Sequence, residues 1–201
     1  MNPLIIDISF DDGWMDQLHW ARYMQALGLR GTFYVCPGLI GKPGRLTEEH
    51  LQLLASWGHR IANHTWEHEC PRAIGEAKTL EGLEHARQWL AERGWAADVV
   101  ALVKGSRGGG WSEAFVAQVL THGFVGMRDV RFKSESVNVF APRVAALEMA
   151  DVMAVTPGLN AFYFHNHNNV QESALVEFLS TIARWQETGV AKVTHVDSVG
   201  D

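Results

Sequence analysis

The sequence predicts an α/β protein in which parallel strands alternate with helices. Short apolar segments alternate with amphipathic helical segments along the chain, and this order favours βα units. The polar motifs follow strands directly, as they do at the carboxyl-end rim of a β/α barrel. The 201 residues are 47% hydrophobic and 20% charged with no evident linker, so we expect one domain over residues 1–201. Alternation alone does not distinguish a barrel from an open doubly wound sheet.

The individual elements follow from apolar patterning and turn residues. The predicted strands lie near residues 4–10, 32–36, 60–63, 99–103, 124–127, 152–155, 161–165 and 193–196. The predicted helices occupy residues 16–27, 47–57, 75–93, 112–122 and 171–188. The last helix is the best defined, because its apolar residues recur with helical spacing and Gly189 can end it. Thr47 begins the second helix, but His50 replaces the usual Glu or Gln, so we expect no full capping box.

The first polar motif is SFDDG at residues 9–13, which follows an apolar stretch directly. Alternation in a strand places residues 6, 8 and 10 on one face and residues 7, 9 and 11 on the other. Asp11 and Asp12 must therefore diverge as the chain turns. Burying an unpaired carboxylate is costly, so two of them at a strand end imply a cation, hydrogen-bond donors or solvent.

The second motif is NHTWEH at residues 63–68, which places His64 and His68 four positions apart. On a helical turn both imidazoles would share one face. Two histidines and one carboxylate form a common ligand set for a divalent metal ion, and they leave coordination positions open for water and substrate. A solvated or capping pair of histidines is the alternative for this motif taken alone.

Together these motifs resemble the polysaccharide deacetylases of the NodB-homology type, which form carbohydrate esterase family 4. The resemblance extends over most of the chain. It implies that Asp11 is the catalytic base and that Asp12, His64 and His68 bind the metal ion. It also implies the distorted (β/α) barrel of about seven strands found in that family.

The third family motif corresponds to SRGGGW at residues 106–111, where the family has a proline in place of Gly109. The resemblance implies that Arg107 orients the Asp11 carboxylate through a charge-assisted hydrogen bond. Gly109 and Gly110 would allow backbone N–H groups to approach a developing oxyanion. The alternative is that the three glycines form only a flexible loop.

The last two family motifs have weaker counterparts. The segment AFYFHNH at residues 161–167 resembles the strand whose histidine protonates the leaving amine. His165 is the expected general acid, and His167 is the alternative. Asp129 corresponds to the family carboxylate that tunes this histidine; the alternative is a surface carboxylate paired with Arg128 or Arg131.

The chemistry of amide hydrolysis requires these residue types. A bound divalent ion would polarise the carbonyl group and acidify a water molecule, so that Asp11 could accept its proton. His165 would protonate the leaving nitrogen. The expected cofactor is zinc, with cobalt, nickel or iron as alternatives, because the ligand set suits all four metals.

The substrate class is suggested by tryptophans beside the motifs. Trp14, Trp66 and Trp111 adjoin or interrupt them, and indole rings stack well on sugars, although core packing is the alternative for each. The expected substrate is a saccharide that carries an N-acetylated amino sugar. Two alternatives stay open: hydrolysis of another small amide or ureide on the same barrel, and a non-catalytic barrel that only binds carbohydrate.

Charge and hydropathy bear on partners and location. The net charge is −6, with scattered lysines and arginines, which argues against nucleic-acid binding. No apolar run approaches 18 residues, so we expect no membrane insertion. The first motif begins at residue 9, which leaves no room for a signal peptide. We therefore expect a cytoplasmic protein or a mature form without its leader, and the sequence does not indicate an oligomeric state.

Overall fold

The centre of the fold is a curved parallel β-sheet. The computed structural model describes residues 3–131, 141–142, 159–165 and 172–195. The strands in these ranges are β1 (Leu4–Asp11), β2 (Thr32–Val35), β3 (Arg60–Asn63), β4 (Ala96–Ala101), β5 (Gly126–Arg128), β6 (Val130–Arg131), β7 (Ala141–Pro142), β8 (Leu159–Phe164) and β9 (Ala191–Val193).

The sheet has the order β5-β4-β3-β2-β1-β8, and β9 pairs with the start of β1. All of these pairs are parallel, and β6 and β7 form a separate two-stranded sheet. The result is a half-barrel of seven strands, which confirms the α/β class and the distorted barrel. The predicted strand at residues 152–155 lies outside the described residues.

Helices connect the strands of the half-barrel. They are α1 (Gln17–Ala26), α2 (Glu48–Ser56), α3 (Pro71–Ile74), α4 (Glu76–Ala91), α5 (Gly105–Gly109), α6 (Glu113–Thr121) and α7 (Glu172–Glu187), with a 3₁₀ turn at Pro37–Leu39. All five predicted helices are present, whereas the short helices α3 and α5 were not predicted. Among the described residues, no helix combines the length and apolar character that crossing a membrane requires.

The start of α2 corrects one sequence expectation. Thr47 and His50 form a full capping box: the Thr47 hydroxyl accepts from the His50 backbone N–H, and His50 Nδ1 accepts from the Thr47 backbone N–H at 3.1 Å. The imidazole nitrogen therefore does the work that a Glu or Gln oxygen usually does.

The two faces of β1 are both buried but chemically different. Ile6, Ile8 and Phe10 lie in the main apolar cluster between the sheet and its helices. The opposite face is polar, and there Ser9 donates to the Phe162 carbonyl oxygen of β8 at 3.0 Å. This inner polar face leads to Asp11 at the carboxyl end of the strand, so the strand pattern positions the first carboxylate of the site.

A buried histidine in this fold makes stability depend on pH. His59 Nδ1 accepts from the Gly31 N–H at 3.2 Å, so the proton is on Nε2, which donates to the Ala21 carbonyl oxygen at 3.0 Å. Burial lowers the pKa of His59 below 6.5. The unfolded chain therefore binds more protons than the folded chain just below pH 6.5, and the free energy of unfolding falls as the pH drops through this range.

We expect His59→Gln to flatten this part of the pH profile, by at most about 1.4 kcal/mol per pH unit. Urea unfolding between pH 7.5 and 5 would measure the difference from wild type. His19→Gln, at an exposed position of α1, is the matched control and should keep the wild-type slope. Equal slopes in wild type and His59→Gln would contradict the prediction.

Candidate active site

The site begins at a sharp turn after β1. Asp11 is the last residue of the strand, and Asp12 and Gly13 follow with φ values of 76° and 70°. Two consecutive left-handed residues reverse the chain direction, and a glycine at the second position avoids the strain that a side chain would add. The turn sends the two carboxylates to different partners, as the sequence predicts.

Asp12 meets His64 and His68 in one cluster. Asp12 Oδ1 lies 3.3 Å from His64 Nε2 and 3.2 Å from His68 Nε2, and the three ligand atoms lie within 4.8 Å of one another. Asp12 Oδ1 is buried and has no hydrogen-bond partner among the described residues. A buried carboxylate oxygen that faces two ring nitrogens in this way fits a divalent cation, and this ligand set suits zinc.

The histidines do not lie on a helical turn, which corrects that expectation. Residues 64–68 form an irregular loop after β3, and Thr65 and His68 have positive φ values of 65° and 67°. The Thr65 N–H donates to Asn63 Oδ1 at 2.9 Å, which stabilises the loop. The two rings still converge, with centroids 5.2 Å apart. Left-handed residues, rather than helical spacing, bring them together.

Hydrogen bonding and charge prepare these side chains for a cation. His64 Nδ1 lies 2.9 Å from the Ala101 carbonyl oxygen, so Nδ1 carries a proton and Nε2 is the ring atom that faces Asp12. Burial, followed by the charge of His64, lowers the pKa of His68 to about 4. Burial acts to raise the pKa of Asp12, but the interactions with His64, His68 and His165 outweigh it and lower this pKa. At neutral pH, Asp12 is therefore anionic and His68 is neutral.

The second carboxylate, Asp11, pairs with an arginine from the far edge of the sheet. Arg128 Nη2 donates to both Asp11 oxygens at 2.5 Å, and both residues are buried, with Arg128 only 1% exposed. The guanidinium lies between the rings of Tyr34 and Tyr163, 5.0 and 4.5 Å from their centroids. Asp11 is thus fixed beside the cluster of Asp12, His64 and His68 but is not part of that cluster.

Asp11 thus has an arginine partner that the sequence did not predict. Arg107 lies exposed on α5, and its carbonyl oxygen accepts from Arg72 at 2.7 Å, so orientation of Asp11 by Arg107 stays a prediction. The glycine-rich segment forms a helical turn rather than a flexible loop. Gly109 packs so closely that a Cβ there would collide with the Val103 carbonyl group.

The same turn changes the roles expected for Gly110 and Trp111. The Gly110 N–H donates to the Ser106 carbonyl oxygen at 3.1 Å, so it closes α5 and is not available to an oxyanion. Trp111 is only 4% exposed, donates its indole N–H to Val103 O at 3.0 Å and packs on Phe115. Trp111 is therefore a core residue and not a platform for a sugar ring.

The other two tryptophans are half-buried beside the cluster. Trp14 donates its indole N–H to Asp12 Oδ2 at 3.0 Å, and the Arg45 guanidinium covers its ring at 3.4 Å from the centroid. Trp66 stacks on His85 with a centroid distance of 3.6 Å. Each indole already has one covered face, so their roles toward a saccharide stay predictions.

His165 approaches the cluster from β8, the neighbour of β1. Gln17 Nε2 donates to the His165 carbonyl oxygen at 2.7 Å and also to the Asp11 carbonyl oxygen. This buried amide ties the ends of two strands whose residues are far apart in the sequence. The interaction with His165 also contributes to the lowered pKa of Asp12.

Asp129 and His167 complete the predicted set. Asp129 is 5% exposed, and its Oδ1 accepts from the Ser106 N–H at 2.6 Å. Asp129 is therefore not a surface carboxylate, while its pairing with Arg128 or Arg131 and its tuning of His165 stay predictions. His167 lies outside the described residues.

Comparison with known proteins decides the family. The sequence model for polysaccharide deacetylases matches residues 2–120, which is more than half of the chain. The chain belongs to the polysaccharide deacetylase family. No curated protein is similar enough in sequence to match it.

Solved structures show the same fold. A family 4 carbohydrate esterase from Bacillus anthracis has 18% sequence identity and a TM-score of 0.67, with 97% of this chain and 81% of that chain covered. A family 4 esterase from Streptomyces lividans in complex with acetate has 16% identity and a TM-score of 0.61, with coverages of 95% and 91%. A mutant of a family 4 pseudoenzyme with restored enzymatic activity has 14% identity and a TM-score of 0.68, with coverages of 100% and 68%.

Within this polysaccharide deacetylase fold, the sequence reasoning missed three residues of the site: Arg128, Gln17 and Arg45. Arg128 carried a signal, because it is a charged residue at the carboxyl end of the short strand β5. Gln17 and Arg45 act mainly through backbone groups and an indole ring, and no motif marks them. Their contacts become evident only when the turn after β1 is seen in three dimensions.

Proposed function

We propose that the protein is a metal-dependent hydrolase that removes the N-acetyl group from an amino sugar in a saccharide. One observation carries the proposal: residues from two separate motifs converge at the carboxyl ends of β1 and β3. Asp12, His64 and His68 bring three potential ligand atoms within 4.8 Å of one another, and Asp11 lies beside them with a buried arginine as its partner. Family membership supports the reaction class.

The roles follow from the positions of the side chains. Asp12, His64 and His68 would hold the divalent ion, with zinc as the first choice. When bound, such an ion supplies a Lewis acid that polarises a carbonyl oxygen and acidifies water. Asp11 accepts the proton of the attacking water at its carboxylate, and Arg128 keeps this carboxylate oriented.

The leaving amine needs a proton from another residue, and His165 is suited to provide it. It follows β8, which lies directly beside β1, and Gln17 fixes its backbone relative to Asp11. A base and an acid on adjacent strand ends can act on the two sides of one amide bond. Asp129 is proposed to tune His165, and His167 is the alternative acid.

The proposed substrate is an N-acetylated amino sugar. The family name and the partly exposed Trp66 beside the cluster support this choice. The related Streptomyces lividans esterase was solved with acetate, the acid product expected here. A saccharide could contact the Trp66 ring from the side that His85 does not cover.

The test is acetate release from a panel of N-acetylated monosaccharides, oligosaccharides and nucleotide sugars. Chelated protein and protein resupplied with zinc or cobalt should be run side by side. We expect release only from the resupplied protein. Metal-loaded protein that releases no acetate from any sugar would refute the proposal and favour either another small amide or ureide or a barrel that only binds carbohydrate.

The metal site itself is tested by His68→Ala. We expect this variant to lose most of its bound metal and its activity, because the cluster keeps only two ligands. Metal content after dialysis against zinc is the measurement. His122 is the exposed residue that caps the C-terminus of α6, outside the ligand cluster, so His122→Ala should bind metal as the wild type does. Full metal content in His68→Ala would refute the proposed ligand set.

A further inference from the structure

We propose that Trp14 and Arg45 are positioning residues that fix the Asp12 carboxylate for metal binding and thereby raise the metal affinity. This inference rests on the proposed function, because it concerns the same cation site. Neither residue belongs to the ligand set. Trp14 contacts the Asp12 carboxylate oxygen that does not face the histidines, and Arg45 contacts the Asp12 backbone carbonyl.

The first argument is that the two oxygens of Asp12 have different partners. Oδ1 faces His64 Nε2 and His68 Nε2 at 3.3 and 3.2 Å. Oδ2 accepts the Trp14 indole N–H at 3.0 Å. An indole nitrogen only donates, so this bond occupies Oδ2 and fixes the rotation of the carboxylate. Oδ1 is thereby directed at the position of the cation.

The second argument is that Arg45 holds both Trp14 and Asp12. Its guanidinium lies 3.4 Å from the Trp14 ring centroid, and Arg45 Nη1 donates to the Asp12 carbonyl oxygen at 2.7 Å. Trp14 and Arg45 also form an antiparallel bridge between their backbones. The indole is thus stacked, bridged and hydrogen-bonded, so its N–H has a defined direction.

The third argument concerns backbone strain at Asp12. Its φ of 76° is unfavourable for a residue with a side chain, and such strain costs on the order of 1–3 kcal/mol. The surrounding loop offsets it through the Arg45 bond and through two backbone hydrogen bonds of 2.9 Å, Leu46 N–H to Gly13 O and Met15 N–H to Gly44 O. The loop therefore holds a ligand in a conformation that the isolated chain would avoid.

These contacts predict the size of the effect on metal affinity. Partners that orient a ligand typically contribute about 10- to 100-fold to metal affinity. Trp14→Phe removes the N–H but keeps an aromatic ring for Arg45 to cover. Trp95→Phe is the matched control, because Trp95 packs against Trp89 in the main apolar cluster and does not contact Asp12.

The experiment is a titration of metal-free protein with Zn²⁺ in competition with a chromophoric chelator. We expect Trp14→Phe to bind Zn²⁺ about 10- to 100-fold more weakly than wild type, and Trp95→Phe to bind within about twofold of it. Arg45→Met should also weaken binding. The Co²⁺ absorption spectrum of Trp14→Phe should differ from that of wild type, because the carboxylate geometry changes. Urea unfolding of the metal-free variants controls for loss of folding.

The outcomes separate this inference from the proposed function. Suppose that wild type binds Zn²⁺ through His68, and that Trp14→Phe has the same Zn²⁺ affinity and Co²⁺ spectrum as wild type. This result would overturn the positioning role alone. Wild type that binds no Zn²⁺, or binds it equally well after His68→Ala, would overturn the metal site and this inference with it. Weaker binding in Trp14→Phe but not in Trp95→Phe would support the inference.

Discussion

Asp11→Asn is expected to lower kcat about 10²- to 10⁴-fold while metal binding stays close to wild type. The amide group has nearly the shape of the carboxylate, and its oxygen can still accept from Arg128, but it cannot take a proton from water. Asp11 is not part of the cluster formed by Asp12, His64 and His68, so the cation site is kept. The measurements are kcat on the best sugar substrate and zinc content after dialysis.

Comparison with His68→Ala separates the role of Asp11 as a base from the role of the metal-binding cluster. His68→Ala should lose metal and activity together, whereas Asp11→Asn should lose activity alone. Asp98→Asn is a matched control, because this carboxylate pairs with Arg87 at a partly exposed position away from the site. Equal metal loss in Asp11→Asn and His68→Ala would refute the division of labour between the two carboxylates.

Arg128→Met is expected to lower the free energy of unfolding by about 3–5 kcal/mol. The substitution would leave the Asp11 carboxylate buried without its countercharge, and the stacking contacts with Tyr34 and Tyr163 would be lost as well. Lys42→Met is the control: Lys42 and its partner Glu67 are both exposed, and such surface pairs contribute at most about 1 kcal/mol. Urea unfolding at pH 7 measures both variants.

The double variant Asp11→Asn/Arg128→Met tests the cause of this loss. If the uncompensated carboxylate is responsible, removing it should recover part of the stability that Arg128→Met loses, and the two effects should not be additive. Arg128→Lys should retain more stability than Arg128→Met but less activity than wild type, because lysine keeps the charge but lacks the planar guanidinium that contacts the rings of Tyr34 and Tyr163. Strictly additive effects would contradict the proposed ion pair.

The parts of the fold that the sequence predicted depend on local patterns. The strand alternation of β1 and the apolar stripe of α7 each require only a short stretch of chain, and the structure has both elements where they were expected. The capping box at Thr47 was missed because the rule considers Glu and Gln, whereas the relevant property is an acceptor within reach of the backbone N–H. A histidine nitrogen meets this requirement.

The site was predictable only in part, for a similar reason. The two carboxylates and two histidines lie in short motifs, but the partner of Asp11 lies 117 positions away in the sequence. Which arginine reaches Asp11 depends on how β5 and α5 are placed at the barrel rim, and the helical turn at Gly105–Gly109 leaves Arg107 exposed instead. Such long-range placement has no local signature in the chain.

The position of β1 in the sheet has a consequence for how the protein is made. β1 is synthesised before two of its neighbours, β8 and β9, which come from residues 159–193. A nascent chain that has left the ribosome as far as His68 can gather the ligands of the cation site, but it still lacks His165 and the strands that cover one edge of β1. We therefore expect the acid and base halves to meet only after β8 has been synthesised. Until then, the open edge of β1 is a surface on which strands of other chains can pair.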